Sequence, residues 1–164
     1  MALFTDASAN PDSLIGFGAY LIIPEIELTA VSDAMIKSKI QLKKFEQTSS
    51  TKLELQTLLW ALEQVEKNNL FDNLAIYTDS QNIVGLPGRK TKLENNNFKS
   101  SGKNKELNNA DLYRRFFDYH NRFKFELIKL KGHSTQSSKD IYHRIFAYVD
   151  RGSRMALRQN LLEL

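Results

Sequence analysis

The chain contains no cysteine. Disulfide bonds and thiolate zinc sites are therefore excluded, and any metal ion must be bound by oxygen or imidazole ligands. The absence of cysteine also suits a reducing compartment.

Long apolar runs are missing as well. The longest apolar stretch, residues 14–23, is interrupted by Gly16 and Gly18. It reaches only about half of the ~20 residues that a membrane-spanning helix needs. The opening residues, MALFTDAS, lack a charged start followed by an apolar run, so no secretory signal is recognised. We therefore expect a cytoplasmic protein without a membrane segment.

The composition is that of an ordinary folded protein. Hydrophobic residues make up 41% of the 164 residues and charged residues 26%, unlike the composition of disordered chains. A chain of this length can bury a core, and we expect one domain over residues 1–164. The formal net charge of +4 and the pI of about 9.2 favour a polyanionic partner, although so small an excess also occurs as a solubility feature.

Three candidate strands open the chain. Residues 3–5 and the apolar residues 17–23 favour extended structure, and a turn at Asn10–Ser13 separates them. Around residues 40–45, apolar residues alternate with lysines and a glutamine, which predicts a third strand with one side facing solvent.

The apolar spacing changes to that of a helix at Leu55. Leu55, Leu58, Leu59 and Leu62 follow the i, i+3, i+4, i+7 pattern of an amphipathic helix. Further along, the pattern predicts a strand at 74–78, a short helix at 79–84 stopped by Pro87, a helix at 111–122, a strand at 125–131 and a helical run around 155–162.

The resulting order is three strands, helix, strand, helix, strand, helix. This order predicts an α/β fold with a mixed five-stranded sheet, in which an antiparallel opening is followed by parallel strands reached through helices. Residues 88–109 are polar and rich in Asn, Lys and Ser, so we expect an extended loop there.

Four acidic residues occupy positions that this fold can bring together. Asp6 and Asp79 each follow a predicted strand, and open α/β sheets bind ligands at strand ends. Glu54 lies in the first turn of the amphipathic helix, and Asp150 is expected in the final helix. Crowded carboxylates repel one another unless a cation neutralises them, and Mg²⁺ prefers oxygen ligands. The pattern therefore indicates a divalent metal site suited to phosphodiester hydrolysis.

Each acidic residue also has an ordinary structural explanation. Glu54 completes an S/T-x-x-E capping box, and Asp79 is suited to cap a helix. Asp6 can be a turn residue, and Asp150 can pair with Arg154 at i+4. No single residue decides between the two explanations.

Five motifs follow one another along the chain: FTDASANP, TSSTKLELQTLLWALE, IYTDSQ, KLKGHS and VDRGSR. In sequence and order they resemble the motifs of type 1 ribonucleases H, and the resemblance covers residues 3 to about 157. It implies the ribonuclease H fold, a five-stranded sheet flanked by helices. It also implies an enzyme that cuts the RNA strand of RNA/DNA hybrids with Mg²⁺, for which Mn²⁺ can substitute.

The same resemblance implies which residues act. Asp6, Glu54, Asp79 and Asp150 match the catalytic, metal-binding carboxylates of the family. His133, in the Lys-Gly-His-Ser loop, matches a histidine that assists proton movement or product release; an ordinary surface histidine is the alternative.

The resemblance further implies contacts to the hybrid. RNA is distinguished from DNA by its 2′-hydroxyl, which short polar groups can bind. Five polar residues beside the acids are candidates for substrate binding, with turn and cap roles as the alternative: Ser8, Asn10, Ser50, Thr51 and Gln81.

Residues 89–105 contain six basic residues and one acidic residue, a local excess of +5. A segment of this kind binds phosphates in a salt-dependent way, or is simply solvated. Family members often carry a tryptophan here, whereas the only tryptophan of this chain is Trp60, in the first predicted helix.

Departures from the family pattern leave the substrate preference open. Ser50 and Thr51 replace two adjacent asparagines, and residues 142–146 replace an acidic segment. The alternatives are a DNA-directed nuclease of the same fold, such as a junction resolvase or an exonuclease, and a non-catalytic nucleic-acid-binding module. We expect no separate hybrid-binding domain before Leu3, so the enzyme would have to hold its substrate with this single domain. We also expect a monomer without an obligatory protein partner.

Overall fold

The computed structural model describes residues 1–100, 102, 104–130 and 140–163. Its strands are β1 (Ala2–Asn10), β2 (Ile15–Ile23), β3 (Gln41–Phe45), β4 (Ala75–Thr78) and β5 (Glu126–Lys129). Its helices are α1 (Asp33–Lys39), α2 (Ser50–Lys67), α3 (Gln81–Val84), α4 (Leu86–Asn95), α5 (Ala110–Phe123) and α6 (Ile141–Leu162), with a 3₁₀ helix at Glu25–Ala30.

Strand β1 lies at the centre of a five-stranded sheet with the order β3-β2-β1-β4-β5. It pairs antiparallel with β2 from Ala2 opposite Ile23 to Asn10 opposite Ile15, and β2 pairs antiparallel with β3. On its other side, β1 pairs parallel with β4 only from Ala2 to Phe4, and β4 pairs parallel with β5. The predicted mixed sheet is therefore confirmed.

Alternating side chains of the sheet divide the core into two layers. Leu3 and Ile76 are fully buried in a cluster with residues of α2 and α5. Phe4 points to the opposite face, where it packs with residues of α6 and stacks on Tyr77 with a ring-centroid distance of 4.8 Å. Helices thus cover both faces of the sheet, because successive strand residues point in opposite directions.

Two sequence-based boundaries are wrong in a way that affects the site. Strand β1 continues to Asn10, so Asp6 lies within the strand and not at its end. The length of β1 depends on its pairing with β2, and this pairing cannot be predicted from the residues of β1 alone. Helix α2 begins at Ser50, so Glu54 lies in its second turn and not in its first.

The prediction of an extended loop over residues 88–109 is wrong for its first part. Leu86–Asn95 forms helix α4, with Pro87 in its first turn. Proline fits there because the first N–H groups of a helix have no partner within the helix. Few apolar residues, among them buried Leu86 and Phe98, anchor this polar segment. No helix within the described ranges is both long and apolar enough to cross a lipid bilayer.

Helix α2 packs very closely on β2 at Gly18. A Cβ atom at this position would collide with Oγ1 of Thr57 and would lie 2.9 Å from its Cγ2 atom. Thr57 is buried, and its hydroxyl donates a hydrogen bond of 2.8 Å to the carbonyl oxygen of Leu53. The missing side chain of Gly18 therefore sets how deeply α2, which carries Glu54, lies against the sheet.

We expect Gly18→Ala to lower the free energy of unfolding by about 2 kcal/mol, because added atoms in a packed core force neighbours apart. Urea denaturation measures this loss. Adding Thr57→Ala should restore at least half of it. The control is Gly88→Ala in α4, where a Cβ atom meets nothing within 4 Å. Equal stability of Gly18→Ala and the wild type would contradict this account of the packing.

Candidate active site

The register of the sheet places Asp6 beside Asp79. Phe4 of β1 is paired with Tyr77 of β4, and Asp6 and Asp79 each follow two residues later. Strand β4 ends at Thr78, whereas β1 continues in its pair with β2. The two acidic residues therefore lie where the sheet opens between β1 and β4, and open α/β sheets bind ligands at such points.

Helix α2 contributes Glu54 through a tertiary contact. Ser80 donates its hydroxyl to Oε2 of Glu54 at 2.5 Å. The same Ser80 oxygen accepts a hydrogen bond from the N–H of Ile83 and so caps α3. The N-cap of α2 is Ser49, whose side chain makes no capping hydrogen bond. The capping-box explanation of Glu54 is therefore wrong, and so is the alternative in which Asp79 caps α3.

Helix α6 reaches two of the acidic residues. Ser153 is fully buried, and its hydroxyl donates a 2.8 Å hydrogen bond to Oδ2 of Asp6. Arg154 lies one turn after Asp150 on α6 and forms an ion pair with it. Nε of Arg154 donates to Oδ1 of Asp150 at 2.7 Å, and Nη2 donates to Oδ2 at 2.5 Å. The ion pair considered as the structural alternative for Asp150 is therefore present.

A small cleft lies between α2 and the strand ends. Within the parts of the chain that the structure describes, no three acidic or histidine side chains stand together as a ready ligand set for a metal ion. Instead, three of the four acids hydrogen-bond to neighbours, as described above. The polar residues that line the cleft are Asp6, Glu54 and Asp79, with Thr5, Thr57 and Thr78.

The electrostatics of the site link all four acids. Burial raises the pKa of Asp6 to about 7; the hydrogen bond from Ser153 opposes this rise, and the charges of Asp150 and Asp79 add to it. Burial, followed by the charge of Asp79, raises the pKa of Glu54. Desolvation, followed by the charge of Asp150, raises the pKa of Asp79. Because full ionisation is disfavoured here, the site would gain stability by binding protons or cations.

Three of the predicted substrate-binding residues lie near the acids in the chain. Ser8 follows Asp6 by two residues on β1 and is partly buried. Ser50 and Thr51 are exposed at the start of α2, one turn before Glu54.

The other two predicted substrate-binding residues already accept hydrogen bonds. Oδ1 of Asn10 accepts from the N–H groups of Asp12 and Ser13, both at 2.9 Å, and closes the turn between β1 and β2. Oε1 of Gln81 accepts from Nζ of Lys129 at 2.5 Å. The turn role considered for Asn10 is thus present.

Two further predictions fall wholly or partly outside the described residues. His133 lies outside them, and so does Lys103 of the basic segment. Arg89 of that segment lies on α4 and donates to the carbonyl oxygen and to Oδ1 of Asn82 at 2.8 and 2.7 Å.

Three residues that contact or influence the acids were not predicted from the sequence. Ser80 donates a hydrogen bond to Glu54 and Ser153 donates one to Asp6, and the charge of Lys129 opposes part of the rise in the pKa of Asp79. Only Ser80 could have been found from the sequence, since it directly follows Asp79 at the start of a predicted helix.

Many solved structures resemble this fold, among them two of a foamy viral protein. The foamy viral protease-reverse transcriptase in complex with RNA/DNA hybrid aligns with a TM-score of 0.67 and 13% identity, over 94% of this chain and 19% of that chain. The same viral protein in complex with dsDNA aligns with a TM-score of 0.60 and 13% identity, over 93% of this chain and 92% of that chain. This chain therefore spans about a fifth of the first of these structures, and at such identity the likeness concerns the fold alone.

The comparison with curated proteins found no match. The comparison with family models did find one, for RNase H, and it extends over residues 1–141. The matched region contains Asp6, Glu54 and Asp79, while Asp150 follows it on α6. Because the match covers most of the chain, this protein belongs to the RNase H family.

Proposed function

We propose that the protein hydrolyses the RNA strand of RNA/DNA hybrids endonucleolytically, using divalent metal ions bound by Asp6, Glu54, Asp79 and Asp150. The main support is one observation: acids from β1, from α2 and from the end of β4 line a single cleft, and two of them are coupled electrostatically to Asp150. Membership of the RNase H family supports a nuclease. The hybrid-bound viral protein of similar fold supports the choice of substrate.

The acidic residues fit Mg²⁺ or Mn²⁺. They offer only oxygen ligands, and the raised pKa of Asp6 reflects a crowding of negative charge that a cation would relieve. In a two-ion arrangement, the carboxylates of Asp6, Glu54, Asp79 and Asp150 would together hold the ions. When bound, such ions activate a water molecule and stabilise the leaving oxygen of a phosphodiester.

Other residues of the chain would orient the acids and the substrate. Ser153 and Ser80 hold the carboxylates of Asp6 and Glu54 in place. His133 would assist proton movement or product release. We assign contacts with the RNA strand to the polar residues beside the acids, because the 2′-hydroxyl distinguishes RNA from DNA: Ser8, Asn10, Ser50, Thr51 and Gln81.

The first test is cleavage of end-labelled RNA/DNA hybrid. We expect products with Mg²⁺ and none with EDTA, while duplex DNA of the same sequence stays intact. Asp6→Asn should reduce kcat at least about a hundredfold, as expected when an electrostatic element of an active site is removed. Asp12→Asn, in the exposed turn after β1, is the matched control and should keep wild-type activity. Cleavage of the DNA duplex instead of the hybrid would favour a DNA-directed nuclease.

The second test is the stability of the metal-free protein. The pKa of Asp6 rises from 3.8 to about 7 on folding, so ionisation of Asp6 destabilises the fold as the pH increases through this interval. Asp6→Asn removes this effect. In EDTA, it should stabilise the protein at pH 8 by on the order of 2–4 kcal/mol and have little effect at pH 4.

Thermal and urea denaturation at several pH values measure this difference. Asp12→Asn should show no comparable pH dependence. An Asp6→Asn variant less stable than the wild type at pH 8 would mean that the buried carboxylate is not under electrostatic strain.

A further inference from the structure

Arg154 places a positive charge beside the acidic site. It lies one helical turn after Asp150 on α6, and its Nε and Nη2 atoms donate to the two carboxylate oxygens at 2.7 and 2.5 Å. Each oxygen of Asp150 therefore accepts one of two parallel hydrogen bonds. This geometry makes arginine–carboxylate pairs stronger and more directional than single contacts.

The charge of Arg154 also acts beyond Asp150. The charges of Asp6 and Asp79 contribute to the raised pKa of Arg154, after the larger effect of Asp150 itself. In return, the charge of Arg154 opposes part of the rise in the pKa of Asp79. The guanidinium group thus lies within electrostatic reach of three of the four acids. Arg114, by contrast, forms its ion pairs with two exposed surface residues, Glu106 and Asp111.

A divalent ion at Asp150 would have to share the carboxylate with this guanidinium group. Two cations at such a short separation repel each other. The side chain of Arg154 is 51% exposed, whereas that of Asp150 is 28% exposed. Arg154 can therefore turn towards solvent when an ion binds, while the carboxylate stays at the site.

We propose that Arg154 is the internal counter-ion of the acidic site, which holds Asp150 in place in the metal-free protein and raises the divalent-ion concentration needed for binding. This inference rests on the proposed function, since it requires a metal ion at Asp150. Arg154 acts through Asp150 and is a positioning residue.

The test is metal binding by the substrate-free protein. Arg154→Gln removes the charge and keeps a polar side chain. Calorimetric titration with Mn²⁺ and Mg²⁺ should give a half-saturating concentration about three- to tenfold lower than in the wild type, as expected on removing a unit charge from a solvent-exposed site. The Mg²⁺ concentration for half-maximal hybrid cleavage should fall by a similar factor.

Two further variants separate charge from structure. Arg154→Lys keeps the charge without the paired hydrogen bonds, and its half-saturating concentration should stay within about twofold of the wild type. Arg158→Gln lies one turn further along α6 at an exposed position and should not change metal binding. Circular dichroism of each variant checks that the fold is intact.

The outcomes distinguish this inference from the proposed function. If the wild type binds no divalent ion, the proposed metal site is wrong and the counter-ion role fails with it. If the wild type binds ions and cleaves hybrid, but Arg154→Gln has an unchanged or higher half-saturating concentration, only the counter-ion role fails. In that case, a raised KM for hybrid would indicate that Arg154 binds substrate phosphates instead.

Discussion

The burial of one carboxylate, that of Asp6, is the constraint on which the rest of the site depends. Asp6 lies within the central strand, and desolvation is the main reason why its pKa rises to about 7. A buried charge destabilises a fold unless it is paired or hydrogen-bonded, and here the direct partner is the neutral hydroxyl of Ser153. Ionisation of Asp6 is therefore disfavoured at the sheet opening, and carboxyl groups with such strongly raised pKa values are often found at functional sites.

The core of the protein determines where the other acids lie. The pairing of Phe4 with Tyr77 brings Asp79 alongside Asp6, and the close contact of Gly18 with Thr57 fixes the depth of the helix that carries Glu54. Helix α6 packs on the opposite face of the sheet and supplies Asp150. Strand pairing and apolar packing thus determine the position of the site. Rigid strands and helices hold functional groups more precisely than loops do.

The acids of the site have two kinds of partner, neutral hydroxyl groups and a positively charged guanidinium group. Glu54 and Asp6 are held by serine hydroxyls, which orient a carboxylate without cancelling its charge. Asp150 is held by Arg154, which does cancel it. Under the proposed function, a cation would therefore meet uncompensated carboxylates on β1 and α2, and at Asp150 it would have to displace the guanidinium group of Arg154.

The sequence by itself determined the order of the five strands and of helices α2, α3, α5 and α6, the amphipathic face of α2 and the four candidate acids, because periodicity and short motifs are local properties. It did not predict helix α1 between β2 and β3. It did not predict helix α4, which has few apolar anchors, or the continuation of β1 past Asp6, which depends on pairing with β2. The partner of Asp150 follows from the i+4 spacing to Arg154, but only the tertiary structure decided which groups face Asp6 and Glu54. Ser153 and Asp6 are 147 residues apart, and contacts over such distances arise from packing and leave no local pattern.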